Sequence, residues 1–163
     1  MKKSHSERAA ELFTAGYNCS QSVTAAFADV MEMNEKQALR LSASFGGGFG
    51  RSREVCGAVC GGCIVLGALY GYDAADDMAA KSEHYALVRE FMRRFSEEDG
   101  TYICRELLGG AEAGGEPSER TPEFYKTRPC LRLIKRAAEI IDGIIEEKSG
   151  NGIKKPFGNG TTD

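Results

Sequence analysis

Residues 55–72, VCGAVCGGCIVLGALYGY, run for eighteen positions without a charge, and how this stretch is read decides the fold. Eighteen uncharged residues reach the length at which a membrane span has to be weighed. The stretch also carries Gly57, Gly61, Gly62, Gly67 and Gly71. At about 1 kcal/mol for each interior glycine, four of them cost a helix about 3–4 kcal/mol, so close packing or a ligand has to hold it. We read a buried central helix and no membrane span. Upstream, residues 45–53 are FGGGFGRSR, a glycine run that supports no regular structure and reads as a loop.

Working outward, the remaining chain has helical periodicity, with no alternation long enough to demand a strand. A first helix is expected over residues 4–14. A second covers 18–30, where Asn18 as N-cap and Gln21 three positions later form a capping-box pattern. A third covers 34–44, capped by Asn34. After the central helix, residues 76–98 form a long amphipathic helix with Val88, Phe91 and Phe95 on one stripe. A short helix holding Cys104, Leu107 and Leu108 follows. Residues 109–128 read as a polar connection with a turn around Phe124 and Tyr125. The last helix starts near Pro129, which suits a first turn. The expected fold is all-α, a compact bundle of five to seven helices around the glycine-rich one. Residues 1–148 form one helical redox-type domain and residues 149–163 a flexible C-terminal tail.

The 163 residues are 42% hydrophobic and 28% charged with a net charge of −3, a balance of globular proteins that advertises no nucleic-acid partner. The N-terminus, MKKSHSERAAELF, turns polar where an apolar signal core would begin, which points to the cytoplasm. In a reducing compartment the six cysteines read as metal ligands or redox thiols, not as a disulfide framework. The densest group is Cys56, Cys60 and Cys63 in CGAVCGGC. At about 100° per residue, Cys60 lies about 40° and Cys63 about −20° from Cys56, so a continuous helix presents three soft ligands on one face. The C-x3-C-x2-C spacing also resembles that of radical S-adenosylmethionine enzymes. The chain lacks their length and strand–helix alternation.

A broader likeness covers residues 12–138. The order is NCSQSV, then FGGG, then CGAVCGG followed by VLGALYG, then a cysteine ahead of leucine–glycine, then a cysteine opening a terminal amphipathic helix. This order resembles the family of small redox-active proteins named for C-GCAxxG-C-C. Here the core reads CGAxxG from Cys56 to Gly61, with the first two letters in the opposite order to the family label. The resemblance implies that the four characteristic cysteines fall on Cys19, Cys56, Cys104 and Cys130, and that the chain is redox-active or iron–sulfur-like. Cys60 and Cys63 lie outside that pattern, as added ligands or as small core residues.

Cys19, Cys104 and Cys130 each lie in an expected first turn, and Cys56 follows Ser52 closely, so four helix N-termini can converge. One terminus contributes about 0.3–1 kcal/mol, which leaves most of a thiol protonated at neutral pH. Several adjacent thiolates repel, so such a site needs a cation or pairwise disulfides. The expected function is electron transfer or thiol reduction at Cys19, Cys56, Cys104 and Cys130, by an oxidoreductase or electron carrier. An iron–sulfur cluster or other thiolate-bound metal is the expected cofactor, held by those four together with Cys60 and Cys63. A zinc or other soft-metal sensing module without redox turnover is the alternative, and a purely structural adaptor a third. Metal-free dithiol chemistry also stands, with Cys19–Cys56 or Cys104–Cys130 as conceivable pairs. The partner is a redox protein or a small-molecule oxidant or reductant, and a homo-oligomer is compatible with the sequence.

The glycine loop lets the chain pass close to the cysteines, with Arg51 or Arg53 placed to balance an anionic cluster or to attract an anionic substrate. It lacks the Lys-Ser/Thr ending of a P-loop. His84 reads as a satisfied core histidine, and His5 as unengaged. Tyr17, Tyr70 and Phe49 are expected to shield the cysteines from water.

Overall fold

A computed structural model describes residues 3–151. Among them eight α-helices form a compact all-α bundle: α1 (His5–Thr14), α2 (Cys19–Ala26), α3 (Glu35–Ser42), α4 (Gly57–Tyr70), α5 (Met78–Ser96), α6 (Cys104–Leu107), α7 (Pro122–Thr127) and α8 (Cys130–Lys148). The five to seven helices expected are thus one too few. The additional helix is α7, where Thr121 accepts from the Phe124 N–H and Pro122 opens the first turn. It lies inside the segment whose polarity reads as a connection. Residues 149–151 continue α8 as a 3₁₀ turn. The rest of the expected tail, residues 152–163, lies outside the described residues.

Local sequence sets the helix starts. Ser4, Asn18 and Asn34 each complete a capping box, with Glu7, Gln21 and Gln37 reaching back to the cap. The core then forms where the apolar faces meet, around Phe13, Phe27, Leu66, Phe91, Phe95, Leu133 and Ile141. His5, expected to be unengaged, stacks on Phe27 at 4.1 Å between ring centroids. Its Nδ1 lies 2.5 Å from an Asp142 carboxylate oxygen, a bond that raises the imidazole above its ordinary value. His84 is half-buried, and its Nδ1 has no hydrogen-bond partner among the described residues.

The uncharged stretch does form the central helix, although α4 covers 14 residues. At 1.5 Å per residue that is about 21 Å, short of the roughly 30 Å hydrocarbon core of a bilayer. No helix among the described residues is long and apolar enough to cross a membrane. Its glycines are explained by packing. A Cβ on Gly61 would sit 2.7 Å from the Ser20 carbonyl oxygen, and one on Gly62 would sit 2.3 Å from Phe91 Cζ. Close backbone approach therefore seats α4 on α2, with Thr24 Oγ1 donating to the Gly61 carbonyl at 3.4 Å. Gly61→Ala should drive the helices apart and cost about 1–3 kcal/mol, the range for overpacked cores. Urea unfolding checks this as a lower midpoint with an unchanged slope.

The glycine loop is not a right-handed helix. Gly47, Gly48, Phe49, Gly50 and Arg51 have φ of 68, 67, 62, 57 and 68°, a left-handed turn. At Gly48 a side chain is excluded twice over, by its φ and because a Cβ would meet the Glu54 N–H at 2.7 Å and Cys104 Cβ at 2.9 Å. The turn delivers the chain into an isolated antiparallel bridge between Val55 and Ile103. There the Cys56 N–H donates to the Tyr102 carbonyl at 2.8 Å and the Cys104 N–H to the Glu54 carbonyl at 2.6 Å.

Candidate functional site

Each of four cysteines stands at a helix start. Cys19, Cys104 and Cys130 are the first residues of α2, α6 and α8, and Cys56 is the N-cap of α4. The Asn18 capping box fixes Cys19, and the bridge at Val55 and Ile103 brings Cys56 beside Cys104. All four line one pocket of about 390 Å³, and all six cysteines are free thiols. The converging starts are thus real, and they add partial positive charge from several directions.

Arginines supply the full charge. Arg51, Arg53, Arg120 and Arg128 line the same pocket, and among the described residues no aspartate or glutamate does. Arg53 is only 4% exposed; its Nη1 lies 3.8 Å from Cys104 Sγ and its Nε donates to the Glu112 carbonyl at 3.2 Å. Arg51 donates through Nε to the Gly114 carbonyl at 2.9 Å and through Nη1 to Ser118 Oγ at 3.0 Å. The segment after α6, which reads as a polar connection, therefore closes one wall of the site. Arg120 lies between the rings of Phe13 and Phe124, with its guanidinium 4.6 and 4.7 Å from their centroids.

The thiols differ sharply in this field. The neighbouring Cys19 thiol lowers Cys130 to about 7, helped by Arg128, Arg120 and Arg53 against burial. Cys130 in turn pushes Cys19 well above the ordinary thiol value, with burial adding to it. Both residues keep partial exposure. Burial pushes Cys56 up to about 12, against the pull of the Ala58 and Val59 amides. Cys104 is also raised by burial, with Arg53 opposing. Cys60 and Cys63 are raised to about 12 and about 11, again by burial.

A family model described as "Putative redox-active protein (C_GCAxxG_C_C)" matches residues 17–144. The chain belongs to this family. No curated protein and no solved structure matches it. In this member of the C_GCAxxG_C_C family, the four cysteines that the resemblance picks out are the four at helix starts around the pocket.

Two expectations are overturned. The first is the cofactor: an iron–sulfur cluster or other metal held by Cys19, Cys56, Cys60, Cys63, Cys104 and Cys130. Among the described residues, no group of three or more Cys, His, Asp or Glu side chains is placed to hold a metal ion. The triplet fails because α4 begins at Gly57, which leaves Cys56 in extended backbone (φ −51°, ψ 131°) off the helical face. Cys60 turns its Sγ toward the Val55 carbonyl at 3.7 Å, and neither Cys60 nor Cys63 lines the pocket. The cation that neighbouring thiolates need is supplied instead by guanidiniums. The second is the aromatic shield. Phe49 is 44% exposed and Tyr17 37%, and neither they nor Tyr70 line the pocket, whose aromatic walls are Phe13 and Phe124.

Sequence reading missed Arg120 and Arg128, which sit in a polar stretch and have no motif around them. The arginine-before-cysteine sequence at residues 128–130, RPC, was the available signal.

Proposed function

We propose that the chain is a two-electron thiol–disulfide oxidoreductase whose nucleophile is Cys130 and whose resolving thiol is Cys19. The observation that carries this reading is that Cys130 and Cys19 line one pocket together with four guanidiniums that have no carboxylate partner among the described residues. Thiolate, not thiol, attacks a disulfide, and an optimal attacking thiol has a value near ambient pH. Cys130 thiolate attacks one sulfur of a substrate disulfide, forming a mixed disulfide and expelling a thiolate. The Cys19 sulfur then attacks Cys130 Sγ, its proton leaving with the second product thiol. The Cys19–Cys130 disulfide forms, the substrate is reduced by two electrons, and a dithiol donor restores the reduced protein.

Cys56 and Cys104 stand behind this pair as protonated thiols, drawn together by the backbone bridge. They extend the cycle by taking over the disulfide. Residues 1–148 work as one redox unit, and a cytoplasmic thiol pool is a fitting source of electrons. The pair differs from both pairings conceivable from sequence. Oxidation with a small disulfide, blocking of free thiols and peptide mapping test it. The expected first product carries a Cys19–Cys130 bond with Cys60 and Cys63 still alkylatable after unfolding. A first bond joining any other two cysteines would overturn the assignment.

A further inference from the structure

Of the eight arginines elsewhere, six, Arg8, Arg93, Arg94, Arg105, Arg132 and Arg136, are ion-paired with a carboxylate. Among the described residues, none of the four arginines around the pocket has such a partner. Arg51 Nη1 and Arg128 Nη2 both donate to Ser118 Oγ, at 3.0 and 3.4 Å, so two like charges meet over one hydroxyl. Desolvation first, then repulsion from Arg53 and Arg128, pulls Arg51 below the ordinary guanidinium value. Arg120 Nη1 is buried and has no hydrogen-bond partner, while Nη2 is tied to the Tyr17 carbonyl at 3.2 Å. Unpaired buried donors and clustered cations cost free energy unless a ligand satisfies them.

Building on the thiol–disulfide reading above, we infer that the substrate is a small organic disulfide carrying a carboxylate at each end. The two charged ends of such a molecule match the guanidiniums of Arg51 and Arg128 at Ser118 and that of Arg120 between Phe13 and Phe124, the ring on which Arg128 also lies. Guanidinium forks fit carboxylates in two-point contact. The apolar middle fits the walls made by Leu107, Leu108 and Leu133, and about 390 Å³ holds a small molecule, not a protein loop with its flanks. Cys130 lies in the same pocket, where it can reach the central sulfurs.

The test oxidises the reduced full chain with three disulfides: 3,3′-dithiodipropionate as the dianion, bis(2-hydroxyethyl) disulfide as the neutral probe and cystamine as the dication. Closure of the Cys19–Cys130 bond is read by thiol blocking and mass, with each rate divided by that of the same disulfide with a simple reference thiol. The dianion should lead the dication by roughly tenfold or more, and roughly 0.5 M salt should erase most of the lead. In Arg51→Gln the dianion-to-neutral ratio should fall about threefold, a change read within one protein. Equal normalised rates for the three probes overturn the inference and leave the redox reading standing. Loss of no thiol with any probe overturns both. Selective closure with a protein disulfide over all three probes also defeats the small-substrate assignment.

Discussion

Cys130→Ser is expected to lose disulfide exchange by about two to three orders of magnitude at neutral pH. Half of Cys130 is ionised near pH 7, whereas a thiol at about 12, such as Cys56 or Cys60, is ionised to about one part in 10⁵. A thiolate of higher basicity is the better nucleophile, with a Brønsted slope of about 0.4–0.5. That recovers about two of the nearly five decades lost, so no other cysteine replaces it. The loss needs no change in folding, because serine matches the shape of cysteine at the first turn of α8. Iodoacetamide alkylation of the wild type supplies the pH arm of the same prediction. Cys130 should react with a midpoint at about 7, where an ordinary thiol responds near 9. Removing the donor with Cys19→Ala should raise that midpoint and halt exchange at the mixed disulfide. A Cys130→Ser protein with full exchange activity would remove the nucleophile from the proposal.

The second large effect is expected at Arg53. Arg53→Ala removes a buried cation that faces both Cys104 and Cys130, and it frees the Glu112 carbonyl. Hydrogen bonds from a charged donor are worth about 1.5–3 kcal/mol, and the lost packing of the side chain adds to this, so a total near 3 kcal/mol is expected. For a chain of this size that corresponds to a fall in Tm of roughly 6–12 °C. The Cys130 alkylation midpoint should rise at the same time. Arg53→Lys separates the two effects: it returns charge without the planar fork, so the midpoint recovers while the Tm stays low. An unchanged midpoint in Arg53→Ala would mean that Arg53 does not act on Cys130.

Much of the fold could be read from local sequence because its determinants are local. The Asn18 and Asn34 capping boxes and the amphipathic period behind α5 each lie within a few residues of what they determine. The central helix could be read from its missing charges, and the reason for its glycines from the close approach they permit. The family cysteines emerged through resemblance to a known pattern. What sequence could not show was long-range. The Val55–Ile103 bridge is a single pair, too short to leave any alternation, yet it sets Cys56 against Cys104. The Cys19–Cys130 contact depends on how α2 and α8 pack, and spacing along the chain holds no trace of it. A shared ligand face of Cys56, Cys60 and Cys63 needs a helical turn through Cys56, and the chain is still extended there. Arg120 and Arg128 look like solvated linker charges until α7 folds and carries them over Phe124.

Cys19 and Cys130 also sit near opposite ends of the described chain, in two helices that both feed the core. Closing a bond between them turns most of the polypeptide into a covalent ring. In the chain-entropy account, a ring of this size withholds about 4–5 kcal/mol of freedom from the unfolded ensemble. By the same cycle, the folded scaffold promotes ring closure by as much as the ring steadies the scaffold. On the proposed cycle, electron supply and the lifetime of the molecule would be coupled: shortage of reductant would favour the form that is hardest to unravel.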